Sequence, residues 1–207
     1  MIEKYPSVQK AKELFEEVCF ITDVFNIKQN KPAQISRKHY LRVAETAKII
    51  ASKTQYLNPE KAYVCGLLHD YGEYVELTVS NAFHGTAGYD EMMKKGYDEV
   101  AKTCLTHSFF EEIYDPEYFS YNPNEIKRAG DIISKMVIDD YDKLIQLSDL
   151  LSDGDNLVKV EDRIDVIISK YKLDTNQSVL KKQKAKELKT YFDKLCNQDI
   201  YEILGVK

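Results

Sequence analysis

Apolar residues recur at helical spacing in nearly every segment of this 207-residue chain that has a readable period, which limits the fold to packed helices. From about Ser7 to Val24, one face carries Val8, Ala11, Phe15 and Val18. A second helix is expected from an N-cap at Ser36 through RKHYLRVAETAKIIAS, where His39, Val43, Ala47 and Ile50 share a stripe. A third opens at Asn58-Pro59-Glu60 and ends near Gly72, with Ala62, Cys65, Gly66 and His69 on its inner side. Two more follow, His84 to Lys95 (closed by Gly96) and Asp98 to Phe110, the latter with Val100, Cys104 and His107 on one stripe.

Residues 111–124 hold Tyr114, Tyr118, Phe119 and Tyr121, punctuated by Pro116 and Pro123, and are expected to form a loop packed over the helices, with stacking of its tyrosines on a nucleobase as the alternative. Helices resume over Glu125 to Val137 and Asp140 to Ser152, where Tyr141, Ile145 and Asp149 stack at steps of four. The last 50 residues read as VEDRIDVIISKYK, a basic amphipathic stretch with Leu180, Leu188, Phe192 and Leu195, and a short turn near Ile200 to Leu204. Only eight Gly and five Pro punctuate the chain, too few for an all-β fold rich in tight turns. The expectation is an all-α bundle over residues 1–155, with a C-terminal helical extension, 156–207, packing on the same domain.

A net charge of −5 offers no general attraction to nucleic acid or anionic lipid. No apolar run approaches the roughly 20 residues that cross a bilayer, and MIEKYPSVQKAKELFEEV does not read as a secretory signal. Cys19, Cys65, Cys104 and Cys196 stand far apart with no CxxC pair, so free thiols in a reducing cytoplasm are expected.

The chemistry-bearing residues form an ordered set: His39, 29 residues, His69-Asp70, 13 residues, His84, 22 residues, His107, 41 residues, Asp149. It uses every histidine in the chain. Buried imidazoles and carboxylates need partners, and bound metal is one way to satisfy them together. Nitrogen and oxygen donors of this kind suit Fe, Mn, Co, Ni or Zn rather than Ca or Mg.

These residues lie in RKHYLRVAETAKIIA, EKAYVCGLLHDYGEY, FHGTAGYDEMMKKG, AKTCLTHS and LIQLSDLLS, which together resemble the HD-domain superfamily of metal-dependent phosphohydrolases over residues 35–152. The resemblance implies an HD-type helical domain in which His39, His69, Asp70 and Asp149 bind one metal. Asp70 would bridge to a second metal completed by His84 and His107. Two divalent transition metals, Fe or Mn before Zn, Co or Ni, are the implied cofactors. The implied activity is cleavage of a small phosphate ester, a nucleotide or related phosphomonoester, by a metal-activated hydroxide that Asp70 helps orient. A di-iron oxygenase of the same fold and a nucleotide sensor without turnover are the alternatives.

In relatives resembling nucleotidases and alarmone hydrolases, a glutamate at the position of Glu73 transfers protons; a surface glutamate is the plainer reading. The cyclic-dinucleotide phosphodiesterase branch has lysine there and a GYP signature that this chain lacks. Arg37 and Arg128 are candidates to reach a substrate phosphate, against the plainer reading of solvated arginines. Asp153 and Asp155 rival Asp149 as ligands but lie beyond the apolar stripe. Cys104 reads as a small core residue, and the basic run KKQKAKELK (181–189) as a solvated helix face. A small phosphorylated substrate, with no membrane or nucleic-acid partner, completes the expectation; a homodimer is compatible with it.

Overall fold

A computed structural model of the protein describes residues 4–28, 37–79, 82–108 and 123–206. Ser36 and the tyrosines of the expected 111–124 loop lie outside the described residues. Helix α1 (Val8–Lys28) buries Ala11, Leu14, Phe15 and Val18, the face read from the sequence, and runs one turn further than expected. Helices α2 (Arg37–Ser52) and α3 (Pro59–Leu68) form the tightest pair. Val43, Ala47 and Ile50 of α2 are fully buried, each large aliphatic side chain contributing about 1.5–3 kcal/mol. At Gly66 the two backbones nearly touch, since a Cβ there would lie 2.8 Å from Ala44 Cα. That contact sets His39 and His69 side by side. Asn58 caps α3 as expected, its Oδ1 accepting from the backbone N–H of Glu60 at 2.8 Å and of Lys61 at 3.1 Å.

The third helix stops at Leu68 rather than near Gly72. Residues 69–72 form a tight turn, and a short helix, α4 (Glu73–Thr78), follows where no element was expected. Gly72 is the physical reason. A Cβ on it would lie 2.0 Å from the backbone carbonyl oxygen of His84 and 2.5 Å from the Gly88 nitrogen. The chain therefore bends against α5 (His84–Lys95), backbone on backbone. Gly72→Ala is expected to cost about 3 kcal/mol or more of unfolding free energy in a denaturant titration, because no flexible side chain can yield.

Helix α6 (Asp98–Thr106) is shorter than the expected run to Phe110 and leaves His107 as its C-cap. Helix α7 (Pro123–Ile133) starts two residues early, with proline in its first turn. Helix α8 (Asp140–Leu150) opens on a capping box between Asp139 and Asp142. Asp142 is buried, held by Lys102 at 2.6 Å and by the Thr106 hydroxyl at 2.9 Å. Gln146 donates to the Thr106 carbonyl at 2.8 Å. These contacts clamp α8 to α6 and fix where Asp149 lies.

After α8 comes a small antiparallel hairpin, β1 (Ser152–Asp153) paired with β2 (Asn156–Leu157), where the sequence reading had extended the helix to Ser152. Helices α9 (Val160–Tyr171), α10 (Thr175–Cys196) and α11 (Ile200–Leu204) complete the chain. Ile164, Ala185, Leu188, Phe192 and Ile200 join the same buried cluster as Phe15, Tyr40 and Leu67. The fold is all-α, as expected. Among the described residues no helix is long and apolar enough to cross a membrane.

Candidate metal centre

Three of the four histidines stand at helix ends. His69 caps the C-terminus of α3, His107 caps that of α6, and His84 is the first residue of α5. Their backbone positions aim the rings at one point, and His39 joins them from α2. Ring centroids lie 5.4 Å apart for His39–His69, 5.0 Å for His69–His107 and 5.3 Å for His84–His107. The C-terminal ends of α3 and α6 also direct partial negative charge at the cluster, which favours a cation there.

Asp70 sits at its centre, buried. Its Oδ2 lies 3.1 Å from His69 Nε2 and 3.9 Å from His39 Nε2. Its Oδ1 lies 3.0 Å from His107 Nε2 and 3.6 Å from His84 Nε2. One carboxylate thus faces two different imidazole pairs, one with each oxygen. Asp149 Oδ1 completes the first side, 3.0 Å from His39 Nε2 and 4.0 Å from His69 Nε2. The ligand-type atoms of His39, His69 and Asp70 fall within 4.8 Å of one another, and so do those of Asp70, His84 and His107.

The tautomers follow from the outer partners. His69 Nδ1 lies 2.7 Å from the Gly66 carbonyl, His107 Nδ1 2.9 Å from the Cys104 carbonyl, and His84 Nδ1 2.8 Å from Glu76 Oε2. Each acceptor requires a proton on Nδ1, so each neutral ring turns the Nε2 lone pair inward. Lone pairs then confront the oxygens of Asp70. A proton or a metal cation between them resolves the repulsion. His69 Nε2 in particular is buried and has no hydrogen-bond partner among the described residues, although Asp70 is close. Orphaned buried nitrogen, fixed tautomers and mixed nitrogen–oxygen donors all fit a divalent transition metal.

The electrostatics carry the same tension. Burial opposes charge on His69, but Asp70 and Asp149 override it and push its pKa up to about 9. Burial likewise opposes charge on His84, while its hydrogen bond to Glu76 and the charge of Asp70 raise it to about 8. Burial would raise the pKa of Asp149, yet the hydrogen bond and charge of His39 hold it down at about 2. Asp70 is held well below the usual carboxylate range against its burial, by His69 and His107. Glu73 moves the other way, to about 7, through burial first and the repulsion of Asp70 second. Its Oε2 lies 2.9 Å from the Tyr40 hydroxyl, which is also 2.8 Å from the Asp70 carbonyl. One hydroxyl proton cannot serve two acceptors fully, so the trio is best satisfied when Glu73 carries a proton of its own.

The structure brings His39, His69, Asp70, His84, His107 and Asp149 together and sets Glu73 beside them. The two arginines lie outside that cluster. Arg37 pairs with Glu16 at 2.8 Å and Asp23 at 3.0 Å, and Arg128 with Asp90 at 2.6 Å. Asp153 pairs with Arg163 and Asp155 with Lys38, both exposed. Cys104 is fully buried. Its Sγ donates to the Leu68 carbonyl at 3.1 Å, and burial pushes its thiol well above the usual range. Sequence reasoning missed Tyr40, Glu76 and Ser108, whose Oγ lies 2.9 Å from His107 Nε2. Tyr40 and Ser108 adjoin ligand-type histidines in sequence, and that adjacency was the available signal.

An all-α bundle that closes a nitrogen–oxygen cage with residues from α2, α3, α5, α6 and α8 is a scaffold for metal-dependent chemistry. The sequence matches the family model described as HD domain over residues 37–153, more than half of the chain, and the chain belongs to the HD domain family. HD domains are generally metal-dependent hydrolases. No curated protein and no solved structure matches it.

Proposed function

We propose that this chain is a metal-dependent phosphohydrolase that cleaves small phosphate esters, nucleotides or related phosphomonoesters. The observation that carries the reading is Asp70, whose two oxygens face separate imidazole pairs. In this reading His39, His69, Asp70 and Asp149 hold one divalent metal, Fe or Mn by preference, and Asp70, His84 and His107 a second. Residues 1–155 form the metal-binding domain, with 156–207 an extension on it. Bound metals supply Lewis acidity, lowering the pKa of a coordinated water (for zinc from about 15.7 to about 7) and neutralising phosphoryl oxygens.

The protein's own residues supply aim and protons. The Gly66 and Cys104 carbonyls and Glu76 fix the imidazole rings. Asp70 orients the attacking group between its two sides. Glu73, with its pKa near 7 and Tyr40 against one oxygen, holds a proton at neutral pH and delivers it to the leaving oxygen.

Mn- or Fe-loaded protein is expected to release phosphate from members of a nucleotide, dinucleotide and sugar-phosphate panel. Silence across the whole panel with metal bound counts against the reading. Glu73→Gln is expected to lower kcat about 100-fold while elemental analysis shows unchanged metal content. A Gln variant with full kcat removes Glu73 from the mechanism.

A further inference from the structure

His69 and His107 end their helices in the same way. Each is a C-cap in helical conformation, with φ −58° and ψ −37° at His69 and φ −59° and ψ −34° at His107. Each places Nδ1 against the carbonyl three residues back, Gly66 at 2.7 Å and Cys104 at 2.9 Å. Matching backbones and matching rings give the next residue the same aim in both cases. After His69 that residue is Asp70, with Oδ2 3.1 Å from His69 Nε2. After His107 it is Ser108, with Oγ 2.9 Å from His107 Nε2. Ser108 thus stands to His107 as Asp70 stands to His69.

The two halves of the centre are unequally furnished. His39, His69, Asp70 and Asp149 surround one position, and Asp70, His84 and His107 the other. Two donors about 2.1 Å from one ion lie about 3.0 Å apart at octahedral angles and about 3.4 Å apart at tetrahedral ones. On the second side Asp70 Oδ1 lies 3.0 Å from His107 Nε2 and 3.6 Å from His84 Nε2. The Ser108 oxygen, 2.9 Å from that same His107 nitrogen, is close to the octahedral spacing. Hydroxyl oxygens do ligate divalent cations, as the serine or threonine of a P-loop does Mg²⁺.

We infer that Ser108 Oγ is the fourth protein donor of the second ion position, beside Asp70, His84 and His107. The inference rests on the two-ion reading of the centre and does not need the ester-cleaving one. A neutral hydroxyl is a weaker donor than the Asp149 carboxylate of the other side, so the two positions are expected to fill at different metal concentrations. A hydroxyl that merely caps His107 Nε2 predicts the opposite sign of effect, because an arriving ion then has to displace it.

The test is calorimetric titration of Mn into chelator-treated, full-length protein at one fixed pH, alongside thermal unfolding of the metal-free variants. The parent is expected to take two ions per chain. Ser108→Ala is expected to weaken the second about tenfold or more and to leave the first within about threefold. Ser108→Thr, which keeps the hydroxyl, should restore the second. Ser108→Cys loaded with Co is expected to show a sulfur-to-cobalt charge-transfer band that parent and Ala variant lack, which a purely structural serine does not produce. Should Ser108→Ala fail to accumulate, the cobalt band of Ser108→Cys decides alone.

A second ion held as tightly or more tightly by Ser108→Ala overturns the assignment and leaves the two-ion reading standing. A parent that saturates at one ion per chain overturns both. A loss in Ser108→Ala that Thr does not restore, with no cobalt–sulfur band in Ser108→Cys, also overturns the assignment.

Discussion

Asp70→Ala is expected to abolish metal retention and ester hydrolysis together. Asp70 contributes an oxygen to each imidazole pair, so its removal strips both halves of the centre at once. It also removes the principal charge holding the pKa of His69 up. What remains is imidazoles and Asp149, a weaker cage for a hard or borderline divalent ion. The metal content of purified variant and parent, measured by elemental analysis, decides the first half. A phosphate-release assay in excess Mn decides the second. Activity surviving in a protein without Asp70 would remove the bridging role and the mechanism with it.

The second large effect is a steep pH dependence of metal binding. With pKa values of about 9 for His69 and about 8 for His84, both rings are protonated at pH 7, and an ion must displace those protons. Apparent affinity should therefore climb by between one and two decades per pH unit below about pH 8, roughly following the protons released. Calorimetry in buffers of different ionisation enthalpy reads that release directly. A pH-independent affinity between pH 6 and 8 would mean that the inward nitrogens are not the ligands.

Stability of chelator-treated protein should run the opposite way. The imidazole pKa values lie above the ordinary 6.5, so their contribution is complete below that pH and is lost as pH rises through 8 to 9. Glu73, raised from 4.5 to about 7, acts in the same sense: its contribution is present below 4.5 and lost as pH rises through 7. Asp149 acts in the opposite sense, but only where pH falls from 3.8 through about 2. Chelator-treated protein is thus expected to lose a few kcal/mol between pH 6 and 9, and added metal to reverse the trend.

Much of this arrangement was legible in the sequence because the cage residues lie on or beside helical stripes. His39 follows the period of Val43, Ala47 and Ile50, and Asp149 follows Tyr141 and Ile145, so inward orientation could be read from spacing. Asn58, Pro59 and Gly96 marked helix ends through local chemistry. The break at Leu68 was not legible, since it depends on the Gly72 backbone meeting α5. The hairpin after α8 carried only the brief turn signal Asp153-Gly154. The surroundings of Arg37 and Arg128 depend on carboxylates from other elements, which a linear reading cannot pair with them. For the same reason Glu76 was invisible: it becomes a partner of His84 only once α4 folds against α5.

Cys104 has a consequence for metal discrimination. A sulfur stands one helical turn from His107, but burial raises its thiol pKa well above the usual range and its hydrogen is donated to the Leu68 carbonyl. Recruiting that sulfur would cost an ion both the thiol proton and the hydrogen bond to Leu68, which leaves a borderline divalent ion to the nitrogen and oxygen donors.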